Sequence, residues 1–526
     1  MASPAVLPQN DKNPGARLAS LANARESYEW SHEALPPLAT LAELPPEAHF
    51  DTRYNVLQLE AMSRIAANMA EVEVRDVLEP FQGLSEYESL YPQLPKPRGL
   101  QGFLHDKSFA RQRLAGPNPM VLRRCDPSDL LALGLPGETL ATLCGFSDPD
   151  AASLSGRLFV ADYRFFATLP CGTHAGRPKS VAPALALFCW RDDGLRDRGA
   201  LRPVAIRLRE DLPPVTPADG ARWQAAKTHV QVADANHHEM STHLGRTHLV
   251  LEPFAIATAR NFAPNHPLAL LLRPHLRFSL ARNVLARETL LKPDGSADRL
   301  LAGTLAASIG LATQAARTWD FEAFKLPNEL KRRGVDDPNA LPDFPYRDDA
   351  LLLWDAIGSF TSAYVSLYYA SPGDVAADSE LQAWLQELRS PDAGRVSGLP
   401  SALTTPADIA EVMRQILFTS GPQHSAVNYP QWDFMGAPSN MPLAAYASPT
   451  ALPSADADTQ AALLPILPPR DQTRDQIEVI RFLSGFQYDR LGDYPKNLFQ
   501  DPGALDAVAR FQGALHAVEQ RIMTRN

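Results

Sequence analysis

The chain has 526 residues, of which 45% are hydrophobic and 21% charged, and its formal net charge is -10. That length can bury a large core, arranged as one large enzyme domain or as many as about three. The acidic balance argues against an electrostatic grip on nucleic acid or on an anionic membrane. No apolar run reaches the roughly 18 residues a membrane-spanning helix needs. The opening "MASPAVLPQNDKNPGARLAS" lacks the apolar core of a signal peptide, so a cytoplasmic protein is expected. Cys125, Cys144, Cys171 and Cys189 form no C-x-x-C pair, which predicts reduced thiols rather than a disulfide framework or cysteine zinc site.

In chain order, residues 1–30 read as a weakly ordered N-terminal arm. Residues 31 to about 130 mix short helical patterns with turns such as "LPPLATLAELPPEAHF". "GRLFVADYRFFATL", "APALALFCW" and "RPVAIRL" are short β-rich runs, predicting a small sheet or hairpin set between about 156 and 208. From Trp223 the pattern turns helical. "RDDALLLWDAIGSFTSAYVSLYYA" is apolar almost all round and predicts a buried helix. "TPADIAEVMRQILFTS" opens on Thr405 and Pro406, a helix cap followed by a first-turn proline. "QIEVIRFLSGFQYDRLG" and "DAVARFQGALHAVEQRIMTRN" also read as helices, and "ALPSADADTQAALLP" as a loosely specified loop. The expected class is mainly α, with a small β subdomain.

The chemistry concentrates in "HHEMSTHLGRTH", His237 to His248. His238, His243 and His248 recur every five residues. In an ideal α-helix such residues lie about 140° apart around the axis and would not easily share one metal ion. A π-type turn brings i and i+5 onto one face, so a widened turn is predicted between His243 and His248. A rival reading is "HEMSTH", one residue longer than the zinc-peptidase H-E-x-x-H, with His238 and His243 as ligands and Glu239 as base. The second constellation is "GPQHSAVNYPQW", where His424 and Asn428 are four apart and share a helix face. An amide oxygen suits a harder, higher-coordinate ion than zinc. Pro422 would disturb the backbone ladder just before His424. Together the two clusters suggest a non-haem iron site of three imidazoles and one amide oxygen.

These residues resemble the lipoxygenase family. "HEMSTHLGRTHLVLEPFAIATARN", "HPLALLLRPHLRFSLARNVLARETLL", "FKLPNELKRRGV", "LWDAIGSFTSAYVSLYY", "DSELQAWLQEL" and "HSAVNYPQW" follow that family's order, and the likeness covers at least residues 156–526. The resemblance implies a large helical catalytic domain over 31–526, of the compact bacterial type without a preceding β-sandwich domain. It implies one non-haem iron on His243, His248, His424 and Asn428, and manganese is compatible with the same ligands. His238 matches a histidine that is not a ligand. Glu239 and Gln431 match positions that hydrogen-bond near the iron. Ala286 and Leu290 match positions that shape the substrate and oxygen pocket, Ala286 being the residue type associated with S-configured products.

The implied reaction is insertion of O2 into a polyunsaturated fatty acid with a cis,cis-1,4-pentadiene, giving a lipid hydroperoxide. Alternatives on the same fold are a hydroperoxide isomerase and a catalytically silent lipid-binding relative. The implied partners are the fatty acid and O2, with at most transient membrane contact and no nucleic acid. Members of the family end in an Ile whose carboxylate is an iron ligand. This sequence ends in "MTRN", where relatives resembling it continue for a few dozen residues, so the expectation is either that the family's C-terminal tail is missing after 526 or that water or another group, the Asn526 carboxylate among them, takes the place of that ligand. Plant relatives also carry an Arg in the loop that here reads "NMPLAAY", with Met441, so a carboxylate anchor is not expected there.

Overall fold

Helix-period spacing of apolar residues dominates the chain from Gly220 onward, and that is where most of the structure's helices lie. The structure, a computed structural model, describes residues 4–75, 80–146, 148, 156–192 and 199–525. Among the described residues no helix is long and apolar enough to cross a membrane. None of the four cysteines is in a disulfide.

The β subdomain is an antiparallel four-stranded meander of Arg123–Arg124, Leu158–Asp162, Leu185–Arg191 and Ala200–Arg207. The expected span of 156–208 holds three of these strands and misses the first. Arg123–Arg124 carries no apolar alternation and is recruited by pairing with Val160 and Phe159. Alternation along the strands buries both faces of the sheet. Phe159, Phe188 and Ile206 join the main core. Leu158, Val160, Leu187 and Cys189 form a second cluster with Leu133, Leu140 and Cys144, from the short helices Pro127–Leu133 and Gly137–Cys144.

The N-terminal stretch differs from the expected weakly ordered arm. It holds a helix, Pro14–Ser27, capped by the Asn13 side chain, which accepts from the Ala16 amide. Arg17 docks it. Its guanidinium donates to both carboxylate oxygens of Glu380 at 2.5 and 2.9 Å, in a buried fork that one-sequence patterning does not reveal.

The apolar helix Pro345–Val365 packs between Pro406–Phe418 and Pro502–Arg525. Trp354 meets Phe418 edge-on at 5.2 Å, and Phe360 stacks on Phe511 at 4.5 Å. The exposed positions of Pro345–Val365 are confined to Asp355, Ser359 and Ser362. Thr405 caps the second of these helices, accepting from the Asp408 amide, with Pro406 in the first turn as predicted. The helix expected through "FQYDRLG" stops at Ser484. Beyond Gly485 the chain leaves the helix, and Phe486 and Tyr488 join Tyr54, Phe278 and Phe50 in an aromatic cluster. The loop around "ALPSADADTQAALLP" contains a short helix, Thr459–Leu463, capped by Asp458.

Candidate metal centre and its cavity

The helix Gly220–His237 is buried over most of its surface and runs directly into a π-helix, His238–Leu249, then into Val250–Asn261. The predicted widened turn is therefore present, and it spans more than the two histidines. Thr247 Oγ1 donates to the carbonyl of Thr242, five residues back, at 2.9 Å. Gly245 makes room for this wide segment. A Cβ there would lie 2.8 Å from the Ala312 carbonyl and 2.8 Å from the Ala315 side chain, on the helix Leu305–Arg317. A second π-helix, Thr419–Gln423, contains Pro422 and leads into His424–Asn428. Gln423 ties the two together, donating to Thr247 Oγ1 at 3.1 Å and to the Arg246 carbonyl at 3.0 Å.

This geometry brings three imidazoles to one point. Ring nitrogens of His243, His248 and His424 all lie within 4.8 Å of one another. The Nε2 atoms of His243 and His248 face each other at 3.1 Å. Two imidazole nitrogens each about 2.1 Å from one metal ion, and at right angles, are about 3.0 Å apart. Burial is the chief cause holding His248 and His424 well below the usual imidazole range, with neighbouring histidines and Arg282 acting in the same direction. His243 is also lowered, again chiefly by burial. The rings are thus neutral at neutral pH, as metal ligation requires. Asn428 lines the same cavity. Three neutral nitrogens with one amide oxygen fit a non-haem iron or manganese ion better than a structural zinc.

The supporting residues fall into place around this group. Gln431 stands behind Asn428, its Nε2 donating to Asn428 Oδ1 at 3.2 Å and to the Asn428 carbonyl at 3.0 Å. His238 Nε2 is engaged with the Val427 carbonyl at 2.8 Å. It is therefore outside the three-histidine group, which removes the ligand pair that the zinc-peptidase reading needs. Glu239 sits 3.6 Å from His238 Nδ1 and 3.8 Å from His243 Nδ1, just beyond hydrogen-bond distance. Burial opposes its ionisation, yet the facing imidazoles outweigh that and hold the carboxyl below the usual range.

Glu239, Ala286 and Leu290 all line the cavity beside the histidines. The helix Ser279–Thr289 that carries Ala286 is latched to the π-helix by Asn283. This side chain donates to the His248 carbonyl at 3.3 Å and to Glu252 at 2.6 Å. The far walls are apolar, built from Leu244, Leu300, Leu301, Leu443, Ile480 and Leu483. Met441 is fully buried and is not on the wall. Asn526 lies outside the described residues.

Sequence reasoning missed Tyr54 and Gln58, which reach the cavity from the helix Thr52–Arg75, and Phe486 and Tyr488 beyond Gly485. It also missed Arg282. There a signal existed, since Arg282 precedes Ala286 by four residues and so shares its helix face.

Comparison with known proteins gives a consistent picture. The family model for Lipoxygenase matches residues 194–526. The chain is 37% identical to the linoleate 9/13-lipoxygenase of Pseudomonas aeruginosa, over 84% of this chain and 67% of that enzyme. It is 35% identical to a hydroperoxide isomerase of Homo sapiens, over 80% of this chain and 59% of the relative. The chain thus spans between half and two thirds of the length of such relatives; for the seed linoleate 9S-lipoxygenase of Glycine max the share is 54%. Among solved structures, a lipoxygenase in complex with arachidonate superposes with a TM-score of 0.91 at 28% identity, covering 100% of this chain and 80% of that one.

Proposed function

Because the chain belongs to the lipoxygenase family, we propose that it is an iron dioxygenase that inserts O2 into a polyunsaturated fatty acid with a cis,cis-1,4-pentadiene, yielding a lipid hydroperoxide. The observation that carries this reading is the meeting of three neutral imidazoles and the Asn428 amide on the wall of an apolar cavity. Iron held by His243, His248, His424 and Asn428 supplies a one-electron oxidant, and the bis-allylic C–H of the substrate is its weakest bond. Residues 31–526 form the catalytic domain in this reading.

The chain's own residues do the rest. Leucine and isoleucine walls bind the acyl chain by burying methylenes, each contributing roughly 0.8 kcal/mol. The cavity also excludes water from the reacting carbon. Ala286 and Leu290 bound the space through which O2 reaches the substrate. Gln431 orients Asn428 by donating to its carbonyl oxygen, which leaves a lone pair for the metal. Replacing Gln431 by alanine is accordingly expected to weaken iron retention by about 10-fold, the lower end of what losing an outer hydrogen-bond partner costs. Iron per chain after dialysis against a graded chelator checks this.

Similarity to a human hydroperoxide isomerase supports a second reading, rearrangement of a hydroperoxide to an epoxy alcohol or ketone on the same site. Conjugated-diene formation from linoleic acid, with metal content measured on the same sample, tests the proposal. Diene formation with O2 uptake and about one iron per chain supports the dioxygenase. Consumption of added hydroperoxide without O2 uptake favours the isomerase. Bound iron with neither reaction indicates a silent lipid-binding relative. Manganese in place of iron would alter the metal but not the ligand set.

A further inference from the structure

The cavity contains one cation that the preceding reading leaves without a role. Arg282 lines the wall on the same helix face as Ala286. The arginines near it are committed. Arg287 pairs with the buried Glu252 at 3.1 Å, Arg277 pairs with Asp51 at 2.5 Å, and Arg53 donates to the Tyr488 carbonyl at 3.2 Å. Among the described residues the Arg282 side chain makes no hydrogen bond or ion pair; its backbone amide donates to the Phe278 carbonyl within the helix. Its guanidinium carbon stands 5.6 Å from the centre of the Tyr54 ring, a cation–π contact that leaves its five N–H donors free.

An arginine that lines an apolar cavity without a counter-ion carries a desolvation cost that a bound anion offsets. Its planar fork matches a carboxylate in two parallel hydrogen bonds. The position is also suitable. The ring partner of Arg282, Tyr54, lies on the helix Thr52–Arg75 between the exposed Arg53 and Asn55, and the charge of Arg282 is also felt at His248 and His424, so the guanidinium is within reach of both the surface and the ligand group. Tyr54 and Gln58, from the helix Thr52–Arg75, line the same cavity. Away from the histidines and Glu239 most of the wall is apolar, which suits an acyl chain.

We propose that Arg282 is the carboxylate anchor of this cavity, binding the head group of the fatty acid and so fixing which way the chain enters. The proposal rests on the fatty-acid reading above and assigns the position of the head group, which that reading leaves open. Since the charge is held at one point along the cavity, it also sets how many methylenes separate the carboxylate from the metal-facing carbon. Arg282 is thus a positioning residue for the site of oxygenation.

The test compares the wild-type chain with Arg282→Leu and Arg282→Lys. Equilibrium binding of radiolabelled oleic acid and oleyl alcohol is measured first, because neither has a pentadiene and binding needs no turnover. The wild type should bind the acid on the order of 10-fold tighter than the alcohol. Arg282→Leu should lose that preference, and Arg282→Lys should keep part of it, with alcohol binding reporting an intact cavity. With linoleic acid, Arg282→Leu should raise KM on the order of 10-fold, change kcat less, and turn one positional hydroperoxide into a mixture. An unchanged acid-to-alcohol ratio in Arg282→Leu overturns the proposal. So does a ratio near one in the wild type. If the ratio depends on Arg282 but no fatty acid is oxygenated, the anchor stands and the dioxygenase reading fails. If oxygenation proceeds with the same KM and product in Arg282→Leu, the dioxygenase stands and the anchor fails.

Discussion

Replacing His248 by alanine is expected to empty the metal site and to lower linoleate oxygenation by at least about 100-fold, above the roughly 10–100-fold typical of losing an outer-shell contact. The magnitude follows from the donor set. Three neutral imidazoles supply all the nitrogen ligands, and no carboxylate belongs to the cluster they form among the described residues. Losing one leaves two nitrogens and an amide oxygen, with no negative charge on those ligands to hold a divalent ion. His248 also sits 3.1 Å from His243 Nε2, so its removal opens one flank of the ligand group. Metal analysis and conjugated-diene formation on the same preparation measure both effects, and circular dichroism checks the helices. A His248→Ala protein that keeps a full complement of iron would contradict the ligand assignment. Removing iron from the wild type with a chelator should abolish activity, and ferrous iron should restore it.

Gly245→Ala is expected to cost about 1–3 kcal/mol of stability, the usual range for overpacking a full core, and on the order of 100-fold in activity. The added methyl group would lie 2.8 Å from a backbone carbonyl, that of Ala312, and 2.8 Å from the Ala315 side chain. A carbonyl inside the helix Leu305–Arg317 cannot turn aside without breaking its own hydrogen bond. The π-helix has to move instead, and His243 and His248 flank Gly245 on it. Displacements near 1 Å at reacting groups cost about that much in rate. Denaturant midpoint and iron content report the two parts separately. Wild-type iron retention with a lowered midpoint would show that the π segment absorbs the strain without moving its ligands.

Some of this was legible before any fold was known. The five-residue recurrence of His238, His243 and His248 demanded a widened turn if two of them were to share an ion, and the π-helix His238–Leu249 answers that demand. Thr405 and Pro406 announced a helix start because a cap is a local transaction between a side chain and an amide two or three residues on. His424 and Asn428 share a face for the same local reason. The N-terminal helix was not legible, because what holds it is an ion pair between Arg17 and Glu380, 363 positions apart. The strand Arg123–Arg124 was missed because its partner, not its own pattern, makes it a strand.

Residue types and their spacing along the chain therefore determined the helical class, the widened turn and the face shared by His424 and Asn428, since all depend on contacts within a turn or two of helix; the choice of His243, His248, His424 and Asn428 as one ligand set came from the family resemblance, and the neutrality of the rings from burial in the fold. Tertiary structure alone decided that His238 turns to the Val427 carbonyl and away from the cluster. It also decided that Phe486 and Tyr488 leave their helix to join Tyr54, and that Arg282 is left without an acidic partner on the cavity wall. Those outcomes depend on which distant segments meet, and a side chain's partners across the fold are set by packing that no local period encodes.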